Sequence, residues 1–237
     1  MTWSILARDD EGFFGMAIAS RFFAVGALCV HSRRGVGALS SQALLNPLYG
    51  PAGLDLLAEH FSPAQTIAKL IEADRGREQR QLHILPFKGF PAAHTGAACI
   101  DWCGHLLEDG LSIAGNMLAG PNVIKHTAQA YKDMRGKPMG ERLLAAMEAG
   151  EAAGGDKRGK QAAALKIHND EDYLQLDLRV DDHQEPLVEL RRLYETSLER
   201  FQPFLECLPS RHRPSGLIER NEIDAHIERF LSRIKGT

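Results

Sequence analysis

The chain opens on two apolar segments joined by a charged turn, and this hairpin constrains the fold more than anything that follows it. Residues 2–7 and 13–20 are β-compatible, and Arg8-Asp9-Asp10-Glu11-Gly12 separates them. Both arms are apolar on both faces, so each strand needs cover above and below. Runs at 27–31 and 36–41, parted by Ser32-Arg33-Arg34-Gly35, predict a second hairpin. Asn46-Pro47-Leu48-Tyr49-Gly50-Pro51 then turns into a helix over 52–61. Ser62-Pro63-Ala64-Gln65 carries a capping hydroxyl, a proline at the first helical position and a glutamine three residues on. Ile67, Leu70 and Ile71 give the helix it starts one apolar face.

Strands return at 81–87, 92–95 and 111–117. Helices follow from Gly120-Pro121 to about 134 and over 139–149, then strands at 163–168 and 173–180. The order is sheet, two helices, sheet, two helices, sheet. It predicts an α+β fold, a four-layer α-β-β-α sandwich with helices outside two packed sheets. The sandwich is expected to span 1–185, with a helical extension over 186–237. In that extension Leu190, Leu193, Tyr194 and Phe201 mark one apolar helix face, and Ile223, Ile227, Phe230, Leu231 and Ile234 mark another. These faces are expected to pack on the domain or on a partner subunit.

A chain of 237 residues, 44% hydrophobic and 25% charged, can bury one large core. Its net charge of -3, with basic residues scattered among acids, speaks against nucleic acid or an anionic membrane as partner. No apolar run approaches the ~18 residues of a membrane span. MTWSILARDDEGFFG meets Arg8, Asp9 and Asp10 too early for a signal peptide. Cys29, Cys99, Cys103 and Cys207 then read as reduced thiols, and the expected location is the cytoplasm. Cys99 and Cys103 near His94 and His105 lack a CxxC pair and the usual zinc spacing, so no metal or cofactor is called for.

Thr2 carries the sharpest chemical expectation. Removal of Met1 leaves a threonine whose hydroxyl is the nucleophile and whose own α-amine, with a pKa of about 8, is the base. The alternative is a β-branched residue that starts an edge strand. Asn116, at a strand end before Gly120-Pro121, is a candidate oxyanion donor or a turn cap. Ser41, Gln42 and Asn46 put a hydroxyl and two amides near another strand exit, as candidate substrate contacts. Asp156 and Arg158 lie in the glycine-rich Gly154-Gly155-Asp156-Lys157-Arg158-Gly159. They read as ligands for a substrate's ammonium and carboxylate, or as an ion pair inside a helix-to-strand turn.

A family resemblance rests on the following segments together: Thr2-Trp3-Ser4-Ile5, Ile18-Ala19-Ser20-Arg21, Ala24-Val25-Gly26, Gln42-Ala43, Asn46-Pro47-Leu48-Tyr49-Gly50, Gly115-Asn116-Met117-Leu118-Ala119-Gly120 and the glycine-rich loop. From about Thr2 to Leu193 the chain resembles the bacterial and archaeal family called domain of unknown function 1028. That family is in turn similar to the N-terminal-nucleophile (Ntn) hydrolases, which include proteasome subunits and asparaginase-like amidases. The resemblance implies the same sandwich, Thr2 at the nucleophile position and assembly into a homo-oligomer. The acid of proteasome-type subunits falls near Ser20-Arg21, where none is present, and their lysine near Ser32-Arg33, where arginine stands.

Three readings follow. The first is an amide-bond hydrolase or amidotransferase-like enzyme acting on a small polar substrate. In it Thr2 attacks, Asn116 stabilises the oxyanion, and Asp156 and Arg158 orient the substrate. The second is a non-catalytic small-molecule-binding or assembly protein that uses a pocket around Ser41, Gln42, Asn46, Asn116 and Asp156. The third is a hydrolase whose catalytic group is not Thr2.

Overall fold

β-Branched and apolar residues in strict two-residue alternation build two antiparallel sheets. The computed structural model describes residues 2–235. The larger sheet contains β1 (Thr2–Arg8), β2 (Phe14–Ser20), β7 (Gly104–Glu108), β8 (Leu111–Asn116), β9 (Ala162–His168) and β10 (Leu176–Val180), in the order β10-β9-β2-β1-β8-β7. The smaller contains β3 (Val30–Arg33), β4 (Gly37–Ala43), β5 (Arg80–Pro86) and β6 (Ala92–Thr95), in that order. β1 is therefore an interior strand, not the edge strand of the alternative reading of Thr2. Its register places Thr2 opposite Ser20 on one side and opposite Asn116 on the other.

Alternation decides which residue serves which layer. From β1, Trp3, Ile5 and Ala7 join a large cluster with Val123, Ile124, Leu143 and Met147, which belong to α4 (Asn122–Asp133) and α5 (Met139–Ala152). Leu39, Leu82 and Ile84 face the other way, onto Tyr49, Leu54 and Leu57 of α2 (Tyr49–Ala58) and Ile67 of α3 (Pro63–Glu72). Between the sheets, one half is apolar: Leu6, Phe14, Met16, Ala38 and Leu85, with Ile18 and Val30 nearby. The fold is a mixed α+β one, with helices on the outer face of each sheet.

The sheet–helix order matches the one expected, with local differences. The strand expected over 27–31 starts only at Val30 and runs on to Arg33. A four-residue helix α1 (Val25–Leu28) precedes β3, after Ala24 takes a left-handed conformation (φ 51°). β7 was not anticipated; it is short, and the dipeptide Asp109-Gly110 closes it onto β8 as a two-residue hairpin. The capping box of α3 forms as expected: Gln65 N–H donates to Ser62 Oγ (3.3 Å), and Ser62 N–H donates to Gln65 Oε1 (3.0 Å).

Beyond residue 185, α6 (Pro186–Glu199) places Leu187, Leu190 and Tyr194 in the same cluster as β1 and α5. α7 (Phe201–Leu205) and α8 (Arg220–Lys235) follow. Among the described residues no helix is long and apolar enough to cross a membrane.

Candidate functional site

The other half of the inter-sheet layer is polar. Thr2 and Ser4 of β1, Ser40 and Gln42 of β4, Gln81 and His83 of β5, and Ser112 and Asn116 of β8 are all buried. They are the inward positions of their strands. A polar group in such a layer is tolerated only when it is hydrogen-bonded, and here the partners come from the facing sheet.

Gln81 is the hub. Its Oε1 accepts from Gln42 Nε2 (2.8 Å) and Asn116 Nδ2 (3.0 Å). Its Nε2 donates toward the Gly115 carbonyl (2.8 Å), Thr95 Oγ1 (3.0 Å) and the Gly104 carbonyl (3.2 Å). Gln42 Nε2 also reaches the Ala114 carbonyl at 3.1 Å. Both Gln42 Nε2 and Asn116 Nδ2 approach the Thr2 carbonyl at 3.5 Å.

His83 forms a second centre. Ser4 Oγ–H donates to Gln42 Oε1 (2.7 Å), which leaves Ser4 to accept from His83 Nε2–H at 2.8 Å. The ring's Nδ1 then accepts from Ser112 Oγ–H at 2.8 Å. Burial holds the His83 pKa down to about 3, so the ring is neutral. A serine–histidine pair at 2.8 Å has the geometry of an activated nucleophile, but Ser4 and His83 are both 0% exposed. No substrate reaches them, so their work is to bind the sheets together.

Thr2, the first residue of β1, is buried at the end of this layer, 5% exposed. Its Oγ1 lies 3.1 Å from Ser20 Oγ. At Ser20, near which the resemblance placed an acid, the side chain beside Thr2 is a hydroxyl. Arg33 lies at the far end of the smaller sheet, in an ion pair with Asp55 at 2.8 Å, and is not beside Thr2. Met1, on whose removal the Thr2 chemistry depends, lies outside the described residues.

The seven candidate residues separate into three groups. Gln42 and Asn116 are joined through Gln81, and both approach the Thr2 carbonyl. Ser41, though adjacent to Gln42 in the chain, points to the opposite face of β4. Its Oγ accepts from Asn46 N–H (3.1 Å), and Asn46 Oδ1 accepts from Leu48 N–H (3.1 Å), which shapes the turn into α2. Asn46 Nδ2 is also 3.5 Å from Asp74. Asp74 is held well below the usual carboxylate range by hydrogen bonds from Arg80 and Tyr49.

Asp156 and Arg158 form the third group. The Asp156 carboxylate is buried and accepts from Arg21 N–H (3.0 Å) and Arg158 N–H (2.9 Å). The Arg158 guanidinium is 3.3 Å from it. Gly154 and Gly155 take φ of 111° and 46°, which lets the loop double back; Ala119 N–H then donates to the Gly155 carbonyl at 3.1 Å. The pair ties the loop to the exits of β2 and β8, and its carboxylate faces the protein.

Beside Asn116 a cleft of about 390 Å³ opens to solvent. Ala43, Leu44, Cys99, Ile100, Asn116 and Met117 line it, with Gln79 and Ala98. Gln79, Ala98, Ile100 and Met117 were not among the expected site residues. Ala43 (φ 67°) and Met117 (φ 53°) both take left-handed conformations that non-glycine residues rarely adopt. Burial raises the Cys99 pKa, so its thiol is protonated and a poor nucleophile at neutral pH. Because Ala43 holds a strained φ, Ala43→Gly is expected to raise stability by about 0.5–1 kcal/mol. Urea denaturation checks this, and an unchanged or lower midpoint would show that the strain is not felt.

The family model described as "Family of unknown function (DUF1028)" matches residues 2–190. Protein SPO2555 from Silicibacter pomeroyi, of the same family model, is similar in structure with a TM-score of 0.84 and 28% sequence identity. The match covers 92% of this chain and 96% of that one. Anbu (ancestral beta-subunit) from Yersinia bercovieri is a distant likeness, with a TM-score of 0.42, 14% identity and coverage of 83% and 94%. No curated protein matches the chain significantly.

Proposed function

We propose that this chain, which belongs to the family of unknown function DUF1028, is an amide-bond hydrolase of the N-terminal-nucleophile kind, built on a four-layer α-β-β-α sandwich. The observation that carries the reading is the position of Thr2. It is the first residue of an interior strand, its Oγ1 is 3.1 Å from Ser20 Oγ, and its strand neighbour Asn116 lines an open cleft.

With Met1 removed, the α-amine of Thr2 takes the proton from Oγ1, and Oγ1 attacks the substrate carbonyl. The C–N bond breaks, the amine leaves with the proton, and an ester to Thr2 remains. Water, activated by the same amine, hydrolyses that ester. Ser20 orients the hydroxyl. Asn116 supplies an amide donor at the cleft, exchanging its 3.5 Å approach to the Thr2 carbonyl for the oxyanion. Asp156 and Arg158 serve by holding the glycine-rich loop against β2 and β8.

The test is an intact mass of untagged protein, followed by turnover of small amides. Met1 is expected to be absent, Thr2→Ser to retain turnover and Thr2→Ala to lose it with the fold unchanged. Met1 retained in essentially all molecules would sink the Thr2 mechanism. Turnover that survives Thr2→Ala would assign catalysis to another group. Ligand-induced thermal stabilisation without product would favour a binding protein on the same scaffold.

A further inference from the structure

The wall of the cleft beside Asn116 differs in chemistry from the ligands expected for a charged substrate. Leu44 and Ile100 are each 57% exposed and form part of its lining, with Met117 and Ala43. Its polar side chains are the two neutral amides, Gln79 and Asn116. Its one titratable side chain is Cys99, a protonated thiol.

The charged residues around the cleft are turned to other work. Arg80 bonds the Leu44 carbonyl and Asp74. Glu78 accepts from Ala97 N–H at 3.1 Å, and Lys157 Nζ donates to the Asp101 carbonyl at 2.6 Å. Asp156 and Arg158 pair with each other and do not line the cleft. Within the lining a charged group would lose water and meet no side chain of opposite charge, which is unfavourable. An aliphatic group would cover exposed Leu44 and Ile100 and gain apolar burial. An amide that follows it would meet Gln79 and Asn116, which can both donate and accept.

We infer that this cleft is the acyl subsite of the protein and that it selects uncharged aliphatic carboxamides over amides whose acyl group bears a carboxylate or an ammonium. Its designation as a substrate subsite rests on the hydrolase reading; its selectivity as a binding site does not. Thr2 is not in the lining, but its β1–β8 register partner Asn116 is, so an acyl chain seated against Leu44 and Ile100 presents its carbonyl toward Asn116.

Three probes decide it: isovaleramide, succinamate and 5-aminopentanamide. Their binding is measured by titration calorimetry or protein NMR shifts, and their turnover by released ammonia. Isovaleramide is expected to bind at least about tenfold more tightly than either charged amide. Leu44→Asp and Ile100→Asp, at exposed positions, are expected to weaken isovaleramide by about fivefold or more and to strengthen the ammonium-bearing amide. Leu48→Asp, 72% exposed and outside the lining, is the surface control and should change neither. Equal or tighter binding of a charged amide, or unchanged binding in both cleft variants, overturns the inference. Selective binding without ammonia release would remove the hydrolase reading and leave a selective binding site standing. Ammonia release from all three amides without selectivity would do the reverse.

Discussion

Replacing Gln81 by leucine is expected to destabilise the protein by about 3 kcal/mol. Leucine fills most of the same volume, so the effect is one of hydrogen bonding rather than of a cavity. The change removes the acceptor shared by Gln42 Nε2 and Asn116 Nδ2, at 2.8 and 3.0 Å. Gln42 keeps the Ala114 carbonyl at 3.1 Å, but Asn116 is left with only the long approach to Thr2. It also removes the donor to the Gly115 carbonyl. A buried polar group stripped of its partner costs about 1–3 kcal/mol, and more than one group is affected here. Urea denaturation at pH 7 reads the effect, and a loss below about 1 kcal/mol would show that the polar layer contributes little cohesion. Because the amides act as one network, the double variant Gln81→Leu with Asn116→Leu should be less destabilised than the sum of the singles.

That network also shows where reading the chain alone stops. Ser62 and Gln65 announce their helix because both halves of the cap lie within four residues. Asp109-Gly110 carried an equally local signal for the β7–β8 hairpin, masked by the shortness of β7. The site is different. Thr2 and Asn116 were nominated from their own chemistry, and the β1–β8 register brings them together. Gln81 and His83 were not nominated, because an isolated glutamine or histidine in an apolar strand reads as ordinary. Their shared signal was two-residue alternation: Ser40 and Gln42, Gln81 and His83, and Ser112 and Asn116 all fall on inward positions. That signal becomes meaningful only once the sheets are known to face each other. The same alternation separates Ser41 from Gln42, which the chain had made look like one candidate patch. Asp156 and Arg158 were weighed as ligands or as an internal pair; their partners, Arg21 and the loop's own backbone, are distant in sequence or unreadable from composition.

Acidification is expected to weaken the fold well above the range in which most carboxylates titrate. His83 has a folded pKa of about 3 against 6.5 in its ordinary state, with burial as the main cause and the charge of His105 adding to it. The unfolded chain therefore binds a proton more readily than the folded one between these values. The contribution of neutral His83 is complete above pH 6.5 and is lost progressively as pH falls toward about 3. The full difference corresponds to about 4–5 kcal/mol, or about 1.4 kcal/mol per pH unit inside that window. His31, His105 and His168 are lowered by burial too and add in the same direction. Asp74, depressed by Arg80 and Tyr49, adds its loss only at the more acidic end. Urea midpoints from pH 7.5 to 4.5 should fall steadily, and His83→Gln should be less stable at pH 7 but flatter with pH. The wild-type protein provides a second measurement that does not depend on that variant folding. The His83 ring resonances should remain those of neutral imidazole, with Nε2 protonated, down to the pH at which the protein unfolds. A ring that titrates near pH 6.5 in the folded protein would mean that water enters the inter-sheet layer, and the Ser4–His83–Ser112 chain would then be an open site rather than a seal between the sheets.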